Sequence, residues 1–362
     1  MAKVKKIRQE DQTSALFPFS RERKKSVNHL LSLTDLGPAT LARLVDRSVE
    51  FATGRYNTHK PLAGKIVGIY FRGPSTRTRT SFTVAALRLG AQIVTYGPND
   101  LQLITGESIE DTARILSGFL DALVIRTNGS IVEMRAMAAE TGMVVINAMS
   151  ENEHPTQVIA DLATIKEKFG RLEGIHVLYL GEGNNTATAL ALAVALTPGM
   201  KITFVTPKTY GLPESFLKEA CRLAHQRGSS IEYHHCMDKL PRNVHAVYTT
   251  RWQTMGIPHS DPNWRDEFWP YSVTPAVMAE VSNPNGAIFL HDLPAVRGED
   301  VQEEVLSAPH SLVWRQAQHK LFSAMAVLEW CLNDVKNTSK LVSETKSVFR
   351  SDHSEDFAER FR

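Results

Sequence analysis

Residues 71–82 read FRGPSTRTRTSF and place three arginines and five hydroxyl side chains within twelve positions. A strand-like apolar run precedes them and apolar residues at helical spacing follow, so the polar residues lie on the first turn of a helix. That turn carries free backbone N–H groups and the positive end of the helix dipole, and an arginine adds a planar fork that matches phosphate oxygens. The pattern predicts a phosphate site formed by Ser75, Thr76, Arg77 and Thr78. The other interpretation is ordinary capping by the hydroxyls, with the arginines facing water.

Two further polar residues stand where other elements would approach the same site. Arg126 ends the strand-like segment DALVIRT, and His154 lies in ENEHPTQ at the start of a helical pattern. Because the carboxyl ends of parallel strands line the ligand crevice of an open α/β sheet, both residues are expected to converge on the bound anion. Each alone would more often be a surface arginine or a structural histidine. The order of the three elements favours a shared site.

A glycine-containing segment, VLYLGEGNNTATALALAVAL, combines a strand, a tight turn and a helix, which superficially suggests a dinucleotide site. The dinucleotide pattern GxGxxG requires a glycine near Ala187, whereas this turn has Asn184, Asn185 and Thr186. The favoured partner of the asparagines is therefore the carboxylate or amide of a small ligand. An Asx-type helix cap is the structural alternative.

These segments belong to a regular alternation of strands and helices. The chain has 362 residues, of which 43% are hydrophobic, and this length favours two domains with a cleft between them. Short runs of branched apolar residues alternate with helical patterns, which predicts an α/β fold of two doubly wound parallel-sheet domains. The predicted strands are KIVGIYF, AQIVTY, DALVIR, MVVINA, IHVLYL, KITFV, SIEYH, HAVYT and AIFL.

A long helix, HPTQVIADLATIKEKFG, is expected to join the two halves, because it has proline at its first position and Gly170 at its end. A last helical pattern, LFSAMAVLEWCL, is expected to pack back across the first domain. The expected segments are a basic extension at 1–25, a first domain at 26–153 completed by a helix at about 318–335, a second domain at 154–317, and a polar tail at 336–362.

Composition restricts the class of function. Lys and Arg total 41 against 39 Asp and Glu, and the net charge of +2 gives no reason to expect nucleic acid or an anionic membrane as a partner. The three cysteines lie far apart, which fits neither a disulfide framework nor a thiolate zinc site. No stretch approaches the roughly 20 apolar residues of a membrane span, and the N-terminal residues lack the apolar core of a signal peptide. We therefore expect a soluble, cytoplasmic protein.

With these residues assembled, the chain resembles the aspartate/ornithine carbamoyltransferase family over most of its length. The markers, in order, are STRTR (75–79), GESIEDTARIL (106–116), HPTQ (154–157), GEGNN (181–185) and HDLPAVRGEDV (291–301). The resemblance implies two α/β domains, with carbamoyl phosphate on the first and the amine substrate on the second, and no metal or organic cofactor. Family members are typically homotrimers or assemblies of trimers, with active sites at subunit interfaces.

The resemblance also assigns roles to the polar residues of the first domain. The residues that match the phosphate ligands are Ser75, Thr76, Arg77, Thr78 and Arg126. Thr78, Arg126 and His154 match donors to the carbamoyl oxygen, where attack by an amine develops an oxyanion that fixed donors stabilise. Gln157 matches the contact to the carbamoyl NH2 group.

Two more residues match family positions for carbamoyl phosphate. Gln102, just before GES, matches a loop position that reaches the active site of a neighbouring subunit. Arg297 matches the arginine of the HCLPxxRG motif in the ornithine branch.

The acceptor side departs from both main branches of the family. The ornithine branch usually has DxWxSMG where this chain has TTRWQTMG at 249–256, so Thr250 replaces the substrate-binding aspartate. Arg251 and Gln253 instead resemble the TRxQ of the aspartate branch, which grips a substrate carboxylate. Asp292 stands where the ornithine branch has cysteine and the aspartate branch has proline. The expected acceptor residues are Asn185, Arg251, Gln253, Met255, Asp292 and Leu293.

Compared with the ornithine branch, this chain lacks the carboxylate at position 250 and has an additional one at Asp292. This exchange suggests that Asp292 pairs with a substrate ammonium, because a buried carboxylate without a cation is costly. We expect a carbamoyltransferase that acts on a diamino acid, such as ornithine or 2,3-diaminopropionate. Pairing of Asp292 with Arg251 alone is the structural alternative, and aspartate or putrescine are the other acceptors considered. A nucleotide-dependent oxidoreductase and a non-catalytic sensor are the hypotheses from other classes.

Overall fold

The computed structural model describes residues 27–55, 60–140, 142–254 and 256–333. The predicted N-terminal extension and polar tail, and Met255, lie outside these residues. The described chain forms two α/β domains, each built on a parallel sheet, as predicted from the alternation of strands and helices.

The first sheet contains four parallel strands in the order β2-β1-β3-β4. Every residue of β3 and β4 is buried, which is the expected result for a parallel sheet covered by helices on both faces. β2 lies at the edge of the sheet and is the most exposed of the four. The strands are β1 (Ile66–Phe71), β2 (Gln92–Tyr96), β3 (Ala122–Arg126) and β4 (Val144–Met149).

The second sheet contains five parallel strands in the order β7-β6-β5-β8-β9. Its central strands are apolar and buried, whereas the edge strand β7 is only partly covered. The strands are β5 (His176–Leu180), β6 (Lys201–Val205), β7 (Ser230–His234), β8 (Ala246–Thr249) and β9 (Ile288–His291). Each segment predicted as a strand forms one, within about a residue at either end.

Helices cover both sheets, and no described helix is long and apolar enough to cross a lipid bilayer. In chain order the α-helices are α1 (Pro38–Ala52), α2 (Thr76–Arg88), α3 (Ile109–Ser117), α4 (Val132–Glu140), α5 (Pro155–Phe169), α6 (Asn185–Ala195), α7 (Glu214–Gln226), α8 (Arg265–Phe268), α9 (Pro275–Val281), α10 (Glu303–Leu306) and α11 (Val313–Leu332). Short 3-10 helices span Leu33–Asp35, Gln102–Thr105, Met237–Lys239 and Trp269–Tyr271.

α5 joins the two sheets and has the ends that its sequence predicts. It begins with Pro155 directly after His154 and ends at Gly170, which adopts the left-handed conformation that glycine tolerates, with φ of 73°. All residues from 155 to 165 are buried, because α1, α6 and α11 pack around this helix. One continuous apolar core therefore extends from the first sheet through α5 to the second sheet.

α11 begins at Val313, eight residues before the apolar pattern that predicts it. It packs against α1, α2 and α5. Its added first turns bring polar side chains, including Gln316 and Lys320, into the interior. The sequence pattern missed this part because buried polar residues interrupt the apolar stripe.

The strand order reverses once in each sheet, and the two reversals locate the site. In the first sheet the chain leaves β1 towards β2 and returns to the other side with β3, and in the second it leaves β5 towards β6 and returns with β8. In open parallel sheets, ligands bind beyond the carboxyl ends of the strands at such switch points. The loops after β1, β3, β5 and β8 therefore define one cleft.

Candidate active site

A cavity of about 230 Å³ lies between the two switch points. It is lined by the first turn of α2, the ends of β3 and β4, the start of α5, the glycine turn after β5 and the loops after β8 and β9. The predicted residues that line it are Ser75, Thr76, Arg77, Thr78, Arg126, His154, Gln157, Asn185, Arg251, Gln253, Asp292 and Leu293. Tertiary structure thus brings together residues from six separate segments.

The first turn of α2 is not capped in the ordinary way. Ser75 occupies the N-cap position, yet within the described chain its hydroxyl makes no capping hydrogen bond. Arg77 is partly buried, and its Nη2 donates to the carbonyl oxygen of Leu293 in the second domain at 2.6 Å. The interpretation of this motif as a capped turn with arginines facing water therefore does not account for Arg77.

Arg126 ends β3 beside this turn and is only 7% exposed. Its Nη1 lies 3.5 Å from Thr78 Oγ1. Burial, together with the neighbouring Arg77, lowers the pKa of Arg126 to about 10, so the guanidinium stays charged at neutral pH. The buried Arg126 and the partly buried Arg77 repel each other, and an anion with two negative charges would relieve that repulsion.

His154 is the N-cap residue of α5 and is buried in the cavity wall. Burial, and the positive charges of Lys320 and Arg126, hold the pKa of His154 well below its usual value. The imidazole is therefore neutral at physiological pH. A neutral imidazole has one N–H donor and adds no charge to the cavity wall.

Gln157 is held in one orientation by a buried network beneath the cavity. Its Nε2 donates to Asp161 Oδ1 at 2.8 Å, and its Oε1 accepts a hydrogen bond from Lys320 Nζ. Gln316 Nε2 and the Tyr248 hydroxyl also donate to Asp161, at 2.7 and 3.1 Å. Burial lowers the pKa of Lys320 and raises that of Asp161.

Lys320 lines the cavity but was not predicted from the sequence. A signal was present, since Gln316 and Lys320 are four residues apart and precede Ala324 on the same face of α11. Polar residues that recur on an apolar helical stripe indicate a buried polar network. Lys320 lies within the helix predicted at about 318–335, but the apolar pattern LFSAMAVLEWCL begins at Leu321, so no role was assigned to Lys320.

Asp292 follows β9 at the opposite wall, and its side chain is 15% exposed. The Thr250 hydroxyl lies 3.0 and 3.2 Å from its two oxygens, and the Thr186 hydroxyl donates to Oδ2 at 2.9 Å. Within the described residues, Asp292 forms no ion pair with an arginine or lysine, so the expected alternative pairing with Arg251 is not observed. Thr186 is a second partner that sequence analysis missed.

The glycine turn after β5 uses its own side chains to begin α6. Asn184 Oδ1 accepts from the backbone N–H groups of Thr186 and Ala187 at 3.0 and 3.2 Å. The first-turn donors that would bind a pyrophosphate are therefore occupied. Gly183 serves packing instead, since a Cβ atom there would lie 2.4 Å from the backbone of Gly211.

Asn185 lines the cavity, as predicted, but also connects the domains. Its Nδ2 donates to the carbonyl oxygen of Ser150 at 2.9 Å.

Leu293 adopts a left-handed backbone conformation, with φ of 58°, and its N–H donates to His291 Nδ1 at 2.7 Å. This uncommon conformation accompanies the contact between its carbonyl group and Arg77.

Two predicted residues of the carbamoyl-phosphate set do not line the cavity of this chain. Arg297 is about half exposed and forms an ion pair with Glu303 at 2.6 Å, which holds it at the surface near α10. Gln102 is exposed in a short helix and accepts a hydrogen bond from Thr105 Oγ1 at 2.8 Å. The prediction for Gln102 concerns the site of a neighbouring subunit and stays a prediction.

Models of known protein families match both halves of the chain. The carbamoyl-phosphate-binding domain of aspartate/ornithine carbamoyltransferases matches residues 28–167, and the aspartate/ornithine-binding domain of the same family matches residues 173–331. Among the described residues, no group of three or more His, Cys, Asp or Glu is arranged to hold a metal ion.

Similar proteins carry the name ornithine carbamoyltransferase. One from Methanothermobacter thermautotrophicus is 37% identical over 85% of this chain and 100% of its own length, and one from Gloeobacter violaceus is 38% identical over 83% and 94%. The solved structure of ornithine carbamoyltransferase from Pyrococcus furiosus has a TM-score of 0.79 and 34% identity, over 86% of this chain and 98% of its own. These matches and the two switch-point loops establish that the chain belongs to the aspartate/ornithine carbamoyltransferase family and is a carbamoyltransferase.

Proposed function

We propose that this enzyme transfers the carbamoyl group of carbamoyl phosphate to an amine of a diamino acid, giving a ureido product and phosphate. Ornithine and the shorter 2,3-diaminopropionate are the candidate acceptors. The observation that carries the proposal is Asp292, a carboxylate at the cavity wall that is oriented by two hydroxyls and that, among the described residues, forms no ion pair with an arginine or lysine.

Carbamoyl phosphate would bind against the first domain. The phosphate would be held by Ser75, Thr76, Arg77, Thr78 and Arg126, which line one side of the cavity. One N–H group of Arg77 already donates to the carbonyl oxygen of Leu293, so its remaining N–H groups are available to phosphate oxygens. Lys320 adds an amine to this wall, and burial lowers the pKa of that amine.

The carbamoyl group would lie between these cations and the start of α5. Attack of an amine on its carbon turns the carbonyl oxygen into an oxyanion, and Thr78, Arg126 and neutral His154 would donate to that oxygen. Gln157 Oε1 has one acceptor site left beyond its bond from Lys320, which suits an N–H of the carbamoyl NH2 group. As the C–O bond to phosphate breaks, the phosphate leaving group can take up the proton that the amine loses.

The diamino acid would bind against the second domain. Asp292 would accept from its non-reacting ammonium, while Arg251, Gln253 and Asn185 would address its carboxylate. The relatives named ornithine carbamoyltransferase support an acceptor of this class. Aspartate would leave Asp292 without a cation, and putrescine would leave Arg251 without an anion.

The deciding experiment is a panel of amines incubated with carbamoyl phosphate, with phosphate release and the ureido product measured together. Ornithine and 2,3-diaminopropionate should give product far faster than aspartate or putrescine. Efficient use of aspartate would contradict the acceptor assignment. A lack of turnover with every amine of the panel would contradict the proposed acceptor class.

We also propose a cytoplasmic homotrimer, or an assembly of trimers, whose active sites include Gln102 of a neighbouring subunit. The test mixes two inactive variants, Gln102→Ala and Arg77→Ala, under conditions that exchange subunits. Recovered activity would support shared sites, since some interfaces would combine an intact loop with an intact phosphate pocket. Hybrid assemblies that form but stay inactive would contradict them.

A further inference from the structure

The loop after β8, residues 250–254 and here called the acceptor loop, is anchored at every second residue. The Thr250 hydroxyl bonds to Asp292, the Trp252 carbonyl oxygen accepts from His259 Nε2 at 2.8 Å, and the Thr254 hydroxyl donates to Glu182 Oε2 at 2.9 Å. In the described part of the chain, the side chains between them, Arg251 and Gln253, have no hydrogen-bond partner, and both line the cavity. The hydrogen bonds therefore hold the loop, and the two polar side chains that line the cavity, Arg251 and Gln253, remain available to a ligand.

Glu182 supplies one of these anchors from the glycine turn after β5. It is buried and does not line the cavity. Besides the Thr254 hydroxyl, it accepts from the Thr254 backbone N–H and, at 3.4 Å, from Asn184 Nδ2. Burial raises the pKa of Glu182 to about 7, so these donors are what offset the cost of its charged form.

His259 supplies the second anchor, and its partner fixes its tautomer. A carbonyl oxygen only accepts hydrogen bonds, so the Nε2 atom that faces Trp252 must carry a proton. The same Nε2 lies 3.4 Å from Glu182 Oε1. The imidazole ring packs against Tyr210 and Trp264, with centroids 4.5 and 4.7 Å away, which prevents it from turning.

We infer that Glu182 and His259 are positioning residues that hold the acceptor loop in the shape in which Arg251 and Gln253 face the cleft. The inference rests on the proposed function, because it assumes that these two side chains bind the acceptor. An unpaired arginine on a free loop would have to be ordered when the substrate binds, and that ordering weakens affinity. Fixing the backbone on both sides of Gln253 removes most of this loss.

The test compares Glu182→Ala, Glu182→Gln and His259→Phe with the control Glu232→Gln, which removes a carboxylate from β7 outside the cavity. The acceptor is whichever amine the wild-type enzyme uses in the amine panel. Loss of either anchor should raise the KM for this amine by about tenfold, while carbamoyl phosphate binding changes by less than about twofold. Glu182→Gln should keep much of the wild-type KM, because its amide oxygen still accepts from Thr254.

Hydrogen exchange of the peptide amides in residues 250–259 gives a readout that needs no substrate. Exchange should be faster in Glu182→Ala and His259→Phe, and unchanged in Glu182→Gln and Glu232→Gln. If Glu182→Ala and His259→Phe leave both the amide exchange and the acceptor KM unchanged, the inference is overturned. It is also overturned if these variants weaken carbamoyl phosphate binding as much as acceptor binding. If the wild-type enzyme carbamoylates no diamino acid but exchange still rises, the proposed acceptor is wrong and the anchoring stands.

Discussion

The two walls of the cleft occupy equivalent switch points but differ in charge. The first wall carries Arg77, Arg126 and Lys320, all partly or fully buried. The second carries Asp292 with the hydroxyls that orient it, and Arg251, which has no side-chain partner among the described residues. Parallel-sheet topology therefore determines where ligands bind, whereas the few side chains at the strand ends determine which ligands.

The walls also differ in how their groups are held. Arg77 is bound to the backbone of the opposite domain, and the Gln157 amide is fixed from both sides by Asp161 and Lys320. In the second wall, Asp292 and Asn185 are hydrogen-bonded, whereas the Arg251 and Gln253 side chains have no partner in the described part of the chain and only the backbone of their loop is anchored. The first wall therefore presents fixed groups, and the second combines a fixed carboxylate with two side chains that a ligand would order.

The largest expected effect is on the second wall. Asp292→Asn should weaken transition-state stabilisation with a diamino acid by about 2–5 kcal/mol, because the substrate ammonium loses its buried counter-charge. Carbamoyl phosphate binding should stay nearly unchanged. Steady-state kinetics with both substrates varied checks this, with Asp266→Asn, an exposed position on α8, as the control. Undiminished use of the diamino acid would remove Asp292 from the acceptor site.

On the first wall, Arg77→Ala should weaken carbamoyl phosphate binding by about 1.5–3 kcal/mol, the usual range for a charge-assisted hydrogen bond. Turnover should fall as well, because Arg77 also contacts the second domain through Leu293. The matched control is Arg79→Ala, an exposed arginine on the same helical turn that does not line the cavity. Calorimetric titration with carbamoyl phosphate measures the difference, and equal affinities of the two variants would contradict the assignment.

A pH dependence of stability separates the buried carboxyl of Glu182 from the ion-paired carboxyl of Glu232. Burial raises the pKa of Glu182 from 4.5 to about 7, so the folded protein holds this proton more tightly than the unfolded chain does. The stability that the proton contributes is present below the unfolded pKa and is lost as the pH rises through about 7. Glu182→Gln lacks this loss and should gain about 1–3 kcal/mol relative to wild type between pH 5 and pH 8.

Urea unfolding at several pH values checks this prediction. Glu232→Gln is the control of opposite sign, because the ion pair with Lys201 outweighs partial burial and lowers the pKa of Glu232. A Glu182→Gln advantage that does not change with pH would show that this carboxyl is not strained by burial.

The smallest expected effect tests the orientation of Asp292. Thr186→Val removes one hydroxyl donor at nearly constant volume and should weaken use of the diamino acid by about 0.5–1.5 kcal/mol. Thr188→Val is the control, because Thr188 lies on the same helix and bonds only to the Asn184 carbonyl oxygen within the described chain. Acceptor kinetics of both variants measure the difference, and equal values would mean that Thr186 does not tune the carboxylate.

Local patterns in the sequence predicted much of this molecule. Each strand, the ends of α5 and the first turn of α2 follow from apolar periodicity and from proline and glycine positions, which act within a few residues. Twelve of the predicted site residues line one cavity, since each follows or ends an element whose carboxyl or amino end could be read locally.

Contacts between distant segments were decided only by the tertiary structure. The spacing of Gln316 and Lys320 on α11 indicates a buried polar network, but the sequence gives no distance between α11 and α5, so the bond from Lys320 to Gln157 was not predictable. The same reason applies to Thr186 on Asp292 and to Glu182 beneath the acceptor loop. Sequence determined which chemical groups each strand end carries, because periodicity is local; the pairing and charge balance of those groups depend on burial across the cleft, which only folding creates.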